Sequence, residues 1–180
     1  MALGSSNYQS LTHLYFKYFN YLVRLDKIME IILFEPEIPP NTGNVARLCA
    51  ALGLRLNLIE PLGFSIDDKH LKRAGLDYWP HVDLKVWPDW PAFKNNWNGG
   101  QLMGTSARNG QLYTSVKMPS DIGLVFGPET RGLPQEVQKE LDIILRVPIR
   151  PVVRSINLAA CVGLIAGEAM RQSGLWAEID

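Results

Sequence analysis

From Met29 onward the chain alternates short apolar runs with segments of helical character, and this alternation restricts it to one fold class. Glu30-Ile31-Ile32-Leu33-Phe34-Glu35 reads as a buried strand, broken by Pro36, Pro39 and Pro40. A helix is predicted to follow to about Leu52, capped by Asn41 or Thr42, with Leu48, Cys49 and Leu52 on its apolar face and Gly53 closing it. Residues 54–60 alternate apolar and polar as a second strand. Asp67 and Asp68 open a helix rich in Lys69, Lys72 and Arg73, which Gly75 ends. Residues 82–86, 101–105, 122–126 and 143–147 are further short strands. Residues 89–97 read as a helix with Pro91 near its first turn, and residues 133–141 as a helix with Pro134 at its start. The last helix is predicted from about Ile156 to Gln172. Strands and helices in this order predict an α/β fold, a parallel sheet covered on both faces.

Residues 1–28 do not join this pattern. They hold Tyr8, Tyr15, Tyr18 and Tyr21, four of the six tyrosines. His13, Lys17 and Asn20 interrupt any apolar run, so neither a signal peptide nor a membrane span is expected there. The reading is an N-terminal extension, either a short appended helix or translated sequence upstream of a true start at Met29, followed by a domain over 29–180.

Lys plus Arg number 18 and Asp plus Glu 18, which excludes a strongly basic field over the whole protein. Taking out the three bases and one acid of residues 1–28 leaves 15 against 17. Nucleic acid, if bound, is bound by a local basic patch. The two cysteines, Cys49 and Cys161, lie far apart and have no metal-ligand or redox spacing, so a reduced, cytoplasmic compartment is expected, with no metal.

Three loops carry unusual residues, each directly after an apolar strand. The first, Pro39-Pro40-Asn41-Thr42-Gly43-Asn44-Val45-Ala46-Arg47, opens a helix that carries an arginine. A helix N-terminus there suits an anion. The second is Phe126-Gly127-Pro128-Glu129-Thr130-Arg131-Gly132-Leu133-Pro134, whose glycines permit close backbone approach. It is neither a dinucleotide-binding nor a Walker A fingerprint. The third runs from Arg150 through Arg154, Ser155, Ile156 and Asn157 to Leu158, with Ser155 as the expected cap of the last helix. Gly163 and Gly167, on one face of that helix, suggest close packing against a neighbour. Open parallel sheets bind ligands at the edge where these loops gather.

The order Asn41…Arg47, then Phe126 to Gly132, then Ser155-Ile156-Asn157-Leu158 resembles the three motifs of the SPOUT superfamily of RNA methyltransferases. The blocks Glu35-Pro36-Glu37-Ile38-Pro39-Pro40-Asn41-Thr42-Gly43-Asn44, Ile59-Glu60-Pro61-Leu62-Gly63-Phe64 and Asp67 to Trp79 are similar to the small, single-domain TrmL (YibK) type branch. The resemblance spans 29 to about 175. It implies a SPOUT fold with a trefoil knot in the C-terminal part, which spacing alone would not suggest because true knots are very rare. It implies S-adenosylmethionine as cofactor (product S-adenosylhomocysteine), a homodimer, and a tRNA substrate methylated on the ribose 2'-hydroxyl of wobble nucleotide 34, a cytidine or modified uridine.

Carried over position by position, the resemblance assigns cofactor contacts to Thr105, Gly127, Val147, Ile149, Ser155 and Leu158. It assigns catalytic roles to Arg47, Glu129, Ser155 and Asn157. A guanidinium stays protonated, so Arg47 is expected to anchor phosphate and stabilise the developing alkoxide rather than act as a base, with Glu129 orienting it. His70 and His81 are the alternative bases. RNA contacts are expected from Asn41, Lys69, Lys72, Arg73, Arg150 and Arg154, with Tyr78 and Trp79 able to stack on a base. The competing readings are a ribosomal-RNA 2'-O-methyltransferase of the same superfamily and a non-catalytic knotted RNA-binding protein. Intact Asn41, Arg47, Glu129, Ser155 and Asn157 speak against the latter.

Overall fold

The computed structural model describes residues 29–65 and 78–179. Seven strands form one sheet: β1 (Glu30–Phe34), β2 (Arg55–Ile59), β3 (Leu84–Trp87), β4 (Leu102–Thr105), β5 (Gln111–Leu112), β6 (Gly123–Phe126) and β7 (Ile143–Arg146). Their order is β3-β2-β1-β6-β4-β7-β5, and every pairing is parallel. Among the described residues four α-helices cover it: α1 (Pro39–Leu52), α2 (Trp90–Asn96), α3 (Gln135–Lys139) and α4 (Leu158–Ser173). Among the described residues this is the parallel α/β architecture that the alternation predicts.

The sheet is buried on both faces because successive residues of a strand point to opposite sides. Ile31 and Leu33 of β1 join the core under α1 and α4, with Val45, Cys49, Val162 and Ile165. Ile32 and Phe34 join the opposite core, with Trp87, Trp90, Phe93 and Val137. Fully burying each such aliphatic side chain contributes about 1.5–3 kcal/mol. In β2 the alternating pattern suggests one wet face, yet Leu56, Asn57, Leu58 and Ile59 are all buried. Asn57 is tolerated because its amide donates to Glu30 Oε2 at 2.7 Å and accepts from Trp87 Nε1 at 2.9 Å.

Several boundaries differ from the sequence reading. α1 begins at Pro39, with Ile38 in the capping position and no side-chain cap, so neither Asn41 nor Thr42 caps it. Prolines at the first two positions preset the backbone and have no N–H to satisfy. The amides of Asn41 and Thr42 both donate to the Ile38 carbonyl, at 3.0 and 3.2 Å. This first turn therefore offers no open row of amides to an anion. α4 begins at Leu158, and its cap is Asn157, whose Oδ1 accepts from Ala160 N at 3.2 Å. Ser155 lies outside the helix. β3 starts later than predicted because Val82 still bonds back to Trp79, closing the 3-10 turn Trp79–His81. α3 is shorter than predicted, and β5 was not anticipated. Gly163 and Gly167 do not answer to tight packing within the chain. A Cβ at either would sit 3.9 Å from Leu48 or 3.8 Å from Trp176, an ordinary contact. The predicted basic helix after Asp67, with His70, falls outside the described residues, as does the extension 1–28.

Two features of the topology place the site. The chain builds β1, β2 and β3 outward in one direction, then continues on the other side of β1, so the loops after β1 and β6 lie side by side where the order reverses. The register aligns their ends, with Leu33 opposite Phe126. β7 is inserted between β4 and β5, which only residues 106–110 connect. This threading is consistent with the knot that the resemblance implies.

Candidate active site

The three loops converge at the C-terminal edge of the sheet and are joined by side chains. Asn41, in the first turn of α1, donates from Nδ2 to Glu129 Oε1 at 2.9 Å. Its other amide atom, Oδ1, accepts from Asn157 Nδ2 at 2.8 Å. Asn157 is held in turn as the cap of α4. One amide thus links the loop after β6 to the loop after β7. The donor and acceptor ends of Asn41 are both matched, because a carboxylate can only accept and the Asn157 amine can only donate.

The loops after β1 and β6 are also knitted along their length. Glu129 Oε2 accepts from the Glu37 backbone N–H at 2.9 Å. Glu37 returns the contact: its Oε2 accepts from the Thr130 N–H at 3.1 Å and from Thr130 Oγ1 at 2.7 Å. Arg131 is ion-paired with Glu35. Glu35 has a φ of 46°, the left-handed region that a glutamate adopts only at a cost. Glycine is needed at 127 because the loop folds on itself. A Cβ there would stand 2.3 Å from Leu133 N and 2.5 Å from Gly132 C. At Gly132 the requirement is the φ of 70°, and nothing lies within 4 Å of where a Cβ would be.

Arg47 lies on α1, exposed, one helical turn after Gly43. Its guanidinium carbon is 5.0 Å from the Tyr78 ring centroid, a cation–π contact. Tyr78 Oη donates to the Gly43 carbonyl at 3.0 Å. The Glu129 carboxylate accepts from the Glu37 backbone and from Asn41, and the Tyr78 ring packs against the Arg47 guanidinium.

Thr105 ends β4 and donates from Oγ1 to the Val125 carbonyl at 3.3 Å. Val147, Ile149 and Leu158 are half-buried, while Arg150, Arg154 and Ser155 are exposed. Lys69, Lys72 and Arg73 lie outside the described residues. His81 is exposed and remote in the chain from the three loops. Among the described residues no three His, Cys, Asp or Glu gather as a metal site, and no helix is long and apolar enough to cross a membrane. Sequence reasoning missed Glu37 and Thr130. The available signal was a pair of carboxylates, Glu35 and Glu37, in a proline-bounded loop with no base beside them.

Residues 28–167 match the SpoU rRNA Methylase family. The chain is 44% identical to the tRNA (cytidine(34)-2'-O)-methyltransferase of Aeromonas hydrophila, over 82% of this chain and 96% of that one. It is 43% identical to the protein of the same name from Escherichia coli K12, over 82% and 95%. A solved structure described as "Structural insights into the 2-OH methylation of C/U34 on tRNA" superposes with a TM-score of 0.77 at 46% identity, covering 82% of this chain and 97% of that one. The SpoU methyltransferase AviRb of Streptomyces viridochromogenes, solved with the cofactor AdoMet, shares the fold at a TM-score of 0.70 and 22% identity, covering 82% of this chain and 58% of that one. With its parallel sheet, its three joined loops and these matches, the chain belongs to the SpoU rRNA Methylase family.

Proposed function

We propose that the protein is an S-adenosylmethionine-dependent tRNA 2'-O-methyltransferase that modifies the ribose of the wobble nucleotide, position 34, a cytidine or modified uridine. The observation that carries this reading is the near full-length relationship to enzymes of that name, 44% identity over 96% of the Aeromonas hydrophila protein. The ribosomal-RNA reading is weaker. The rRNA methyltransferase of Sinorhizobium meliloti is 22% identical, and this chain covers only 57% of it.

The residues present fit the cofactor. Val147, Ile149 and Leu158 are half-buried apolar side chains of the kind that can pack on a flat heteroaromatic ring, and the turn at Gly132 leaves open space where a Cβ would stand. Thr105, Gly127, Val147, Ile149, Ser155 and Leu158 would hold it. When bound, S-adenosylmethionine supplies an electrophilic methyl group.

The chain's own groups position and stabilise. Arg47 remains protonated, anchors a phosphate beside the reacting ribose and stabilises the oxygen as negative charge develops on it. Glu129 and Asn157, locked through Asn41, fix the relative placement of the three loops, which is where most of the rate of a displacement between two bound reactants arises. Ser155 shapes the pocket beside them. Asn41, Lys69, Lys72, Arg73, Arg150 and Arg154 meet the RNA. The C-terminal part is knotted. A homodimer completes the site, with exposed Val152, Val153 and Leu164 and the small residues of α4 available to a second copy. The enzyme works in the cytoplasm.

The test is mass spectrometry of tRNA from a strain lacking the gene, with purified protein and S-adenosylmethionine added back. The expected result is loss of the 2'-O-methyl mark at nucleotide 34 and its restoration. A mark that persists in the deletion strain, with no methyl incorporated on add-back, overturns the reading.

A further inference from the structure

We propose that Glu37 is a positioning residue that clasps the cofactor-side loop onto the RNA-side loop, so that cofactor affinity and tRNA affinity are energetically coupled through it. The inference rests on the reading above that the loop after β6 helps hold S-adenosylmethionine.

The contacts are consecutive and reciprocal. Residue 129 holds residue 37 by a side chain to a backbone amide, at 2.9 Å. Residue 37 holds residue 130 by a carboxylate to both the backbone amide and the hydroxyl, at 3.1 and 2.7 Å, with Oε1 also 3.0 Å from that hydroxyl. Residue 35 holds residue 131 by an ion pair. The two segments are more than ninety positions apart in sequence, so nothing local brings them together. The left-handed backbone at Glu35 directs the chain away from β1 just where this clasp begins, and such strain is retained where surrounding contacts over-determine it.

The loop from Gly127 to Gly132 is exposed at Thr130, Arg131 and Gly132, and Asn41 holds it at Glu129 beside this clasp. The loop after β1 leads into α1, which carries Asn41 in its first turn and Arg47 little more than two turns from its start. A ligand that orders either segment therefore orders the other, and linkage requires the effect to be mutual. Glu37 is central because it hydrogen-bonds both residues, Glu129 through its backbone and Thr130 through its side chain.

Calorimetry of S-adenosylmethionine binding, with and without saturating unmodified tRNA, tests this for the full chain and for Glu37→Ala, Thr130→Val and the double variant. Thr130→Val removes only the hydroxyl and leaves the backbone amide. It keeps the proposal testable should Glu37→Ala lose its fold, which circular dichroism checks. Expected are about tenfold weaker cofactor binding in Glu37→Ala, the scale of losing a hydrogen bond to a charged group, and a smaller loss in Thr130→Val. The double variant should be no weaker than Glu37→Ala, because both substitutions cut the same contact. The tRNA-induced gain in cofactor affinity should vanish in Glu37→Ala. Cofactor affinity within twofold of the unaltered protein in both single variants, or a tRNA effect undiminished in folded Glu37→Ala, overturns the clasp. If the unaltered protein binds no S-adenosylmethionine, the reading of the loop fails and the clasp fails with it.

Discussion

Asn157 donates from its side-chain amide to Oδ1 of Asn41 at 2.8 Å, across 116 positions of chain. This bond is the only direct side-chain link between the first and third loops among the described hydrogen bonds, and it reaches Glu129 through the same Asn41 amide. Asn41 therefore sets the spacing of the three loops.

Asn41→Asp should show this by its pH dependence. The substitution turns the donor facing Glu129 into a second carboxylate, and like charges at hydrogen-bond distance disfavour joint ionisation. At neutral pH the single-turnover rate is expected to fall about tenfold or more, the scale of losing a charged hydrogen bond. Part of the loss should be recovered as pH falls and the pair takes up one shared proton. Rates in Asn41→Asp that run parallel to the unaltered protein from neutral to mildly acid pH would count against the relay.

Arg47→Ala should keep S-adenosylmethionine affinity within a few-fold but lower the single-turnover rate about a hundredfold or more, the scale of losing one preorganised charge donor. Arg47→Lys should be nearly as poor, because lysine loses the planar fork that can hold two oxygens together. Tyr78→Leu removes the ring face 5.0 Å from the guanidinium and should give an intermediate loss, with Arg47 still charged but less confined. Single-turnover kinetics at saturating tRNA and cofactor rank the three.

Gly127 and Gly132 should respond differently to alanine. At Gly127 the new Cβ meets backbone, Leu133 N at 2.3 Å, so the turn must open. Gly127→Ala is expected to destabilise by about 1–3 kcal/mol and to weaken cofactor binding, and Gly127→Val to abolish it. Gly132→Ala meets no atom and bears only the strain of a positive φ, about 1–2 kcal/mol. Thermal midpoints together with cofactor calorimetry distinguish the two, and equal cofactor affinity in folded Gly127→Val would remove this loop from the site.

Neither cysteine should react in the folded protein. Burial raises the Cys49 thiol to about 12 and the Cys161 thiol to about 11, because a thiolate is poorly solvated there. At pH 8 only about one Cys161 in a thousand, and fewer Cys49, would be ionised. Alkylation should therefore be slow until denaturant is added. Above the ordinary thiol value of 9.0 the unfolded chain releases protons that the folded chain keeps, so this contribution lowers stability as pH rises past that point. Rapid stoichiometric labelling of the native protein at pH 8 would contradict both assignments.

A chain beginning at Met29 is expected to fold, bind cofactor and methylate as the full chain does. Met29 is itself fully buried in the main core, and the family match begins one residue before it. Loss of solubility or of activity on removing residues 1–28 would make that segment part of the working enzyme.

What the amino-acid sequence alone determined is the class of fold and the three loops of the candidate site. Apolar runs separated by helix-forming segments leave a parallel sheet as the one way to bury both faces, and β1, β2, β4, β6 and β7 lie where those runs are. The loops after β1, β6 and β7 were legible as a candidate site because their motifs follow strand ends, and the structure joins them through Asn41. Local pattern was less reliable where a residue's partner is remote. Asn41 has the chemistry of a helix cap, but Pro39 and Pro40 make a cap unnecessary and leave its amide for Glu129 and Asn157. Ser155 has the chemistry of a cap too, and Asn157 holds the position. Glu37 offered no motif of its own, since its partner Thr130 lies 93 positions away. Only the tertiary structure decided which polar groups meet. Hydrogen bonds depend on distance and direction, and the order β3-β2-β1-β6-β4-β7-β5 brings together loop ends that no sequence spacing relates.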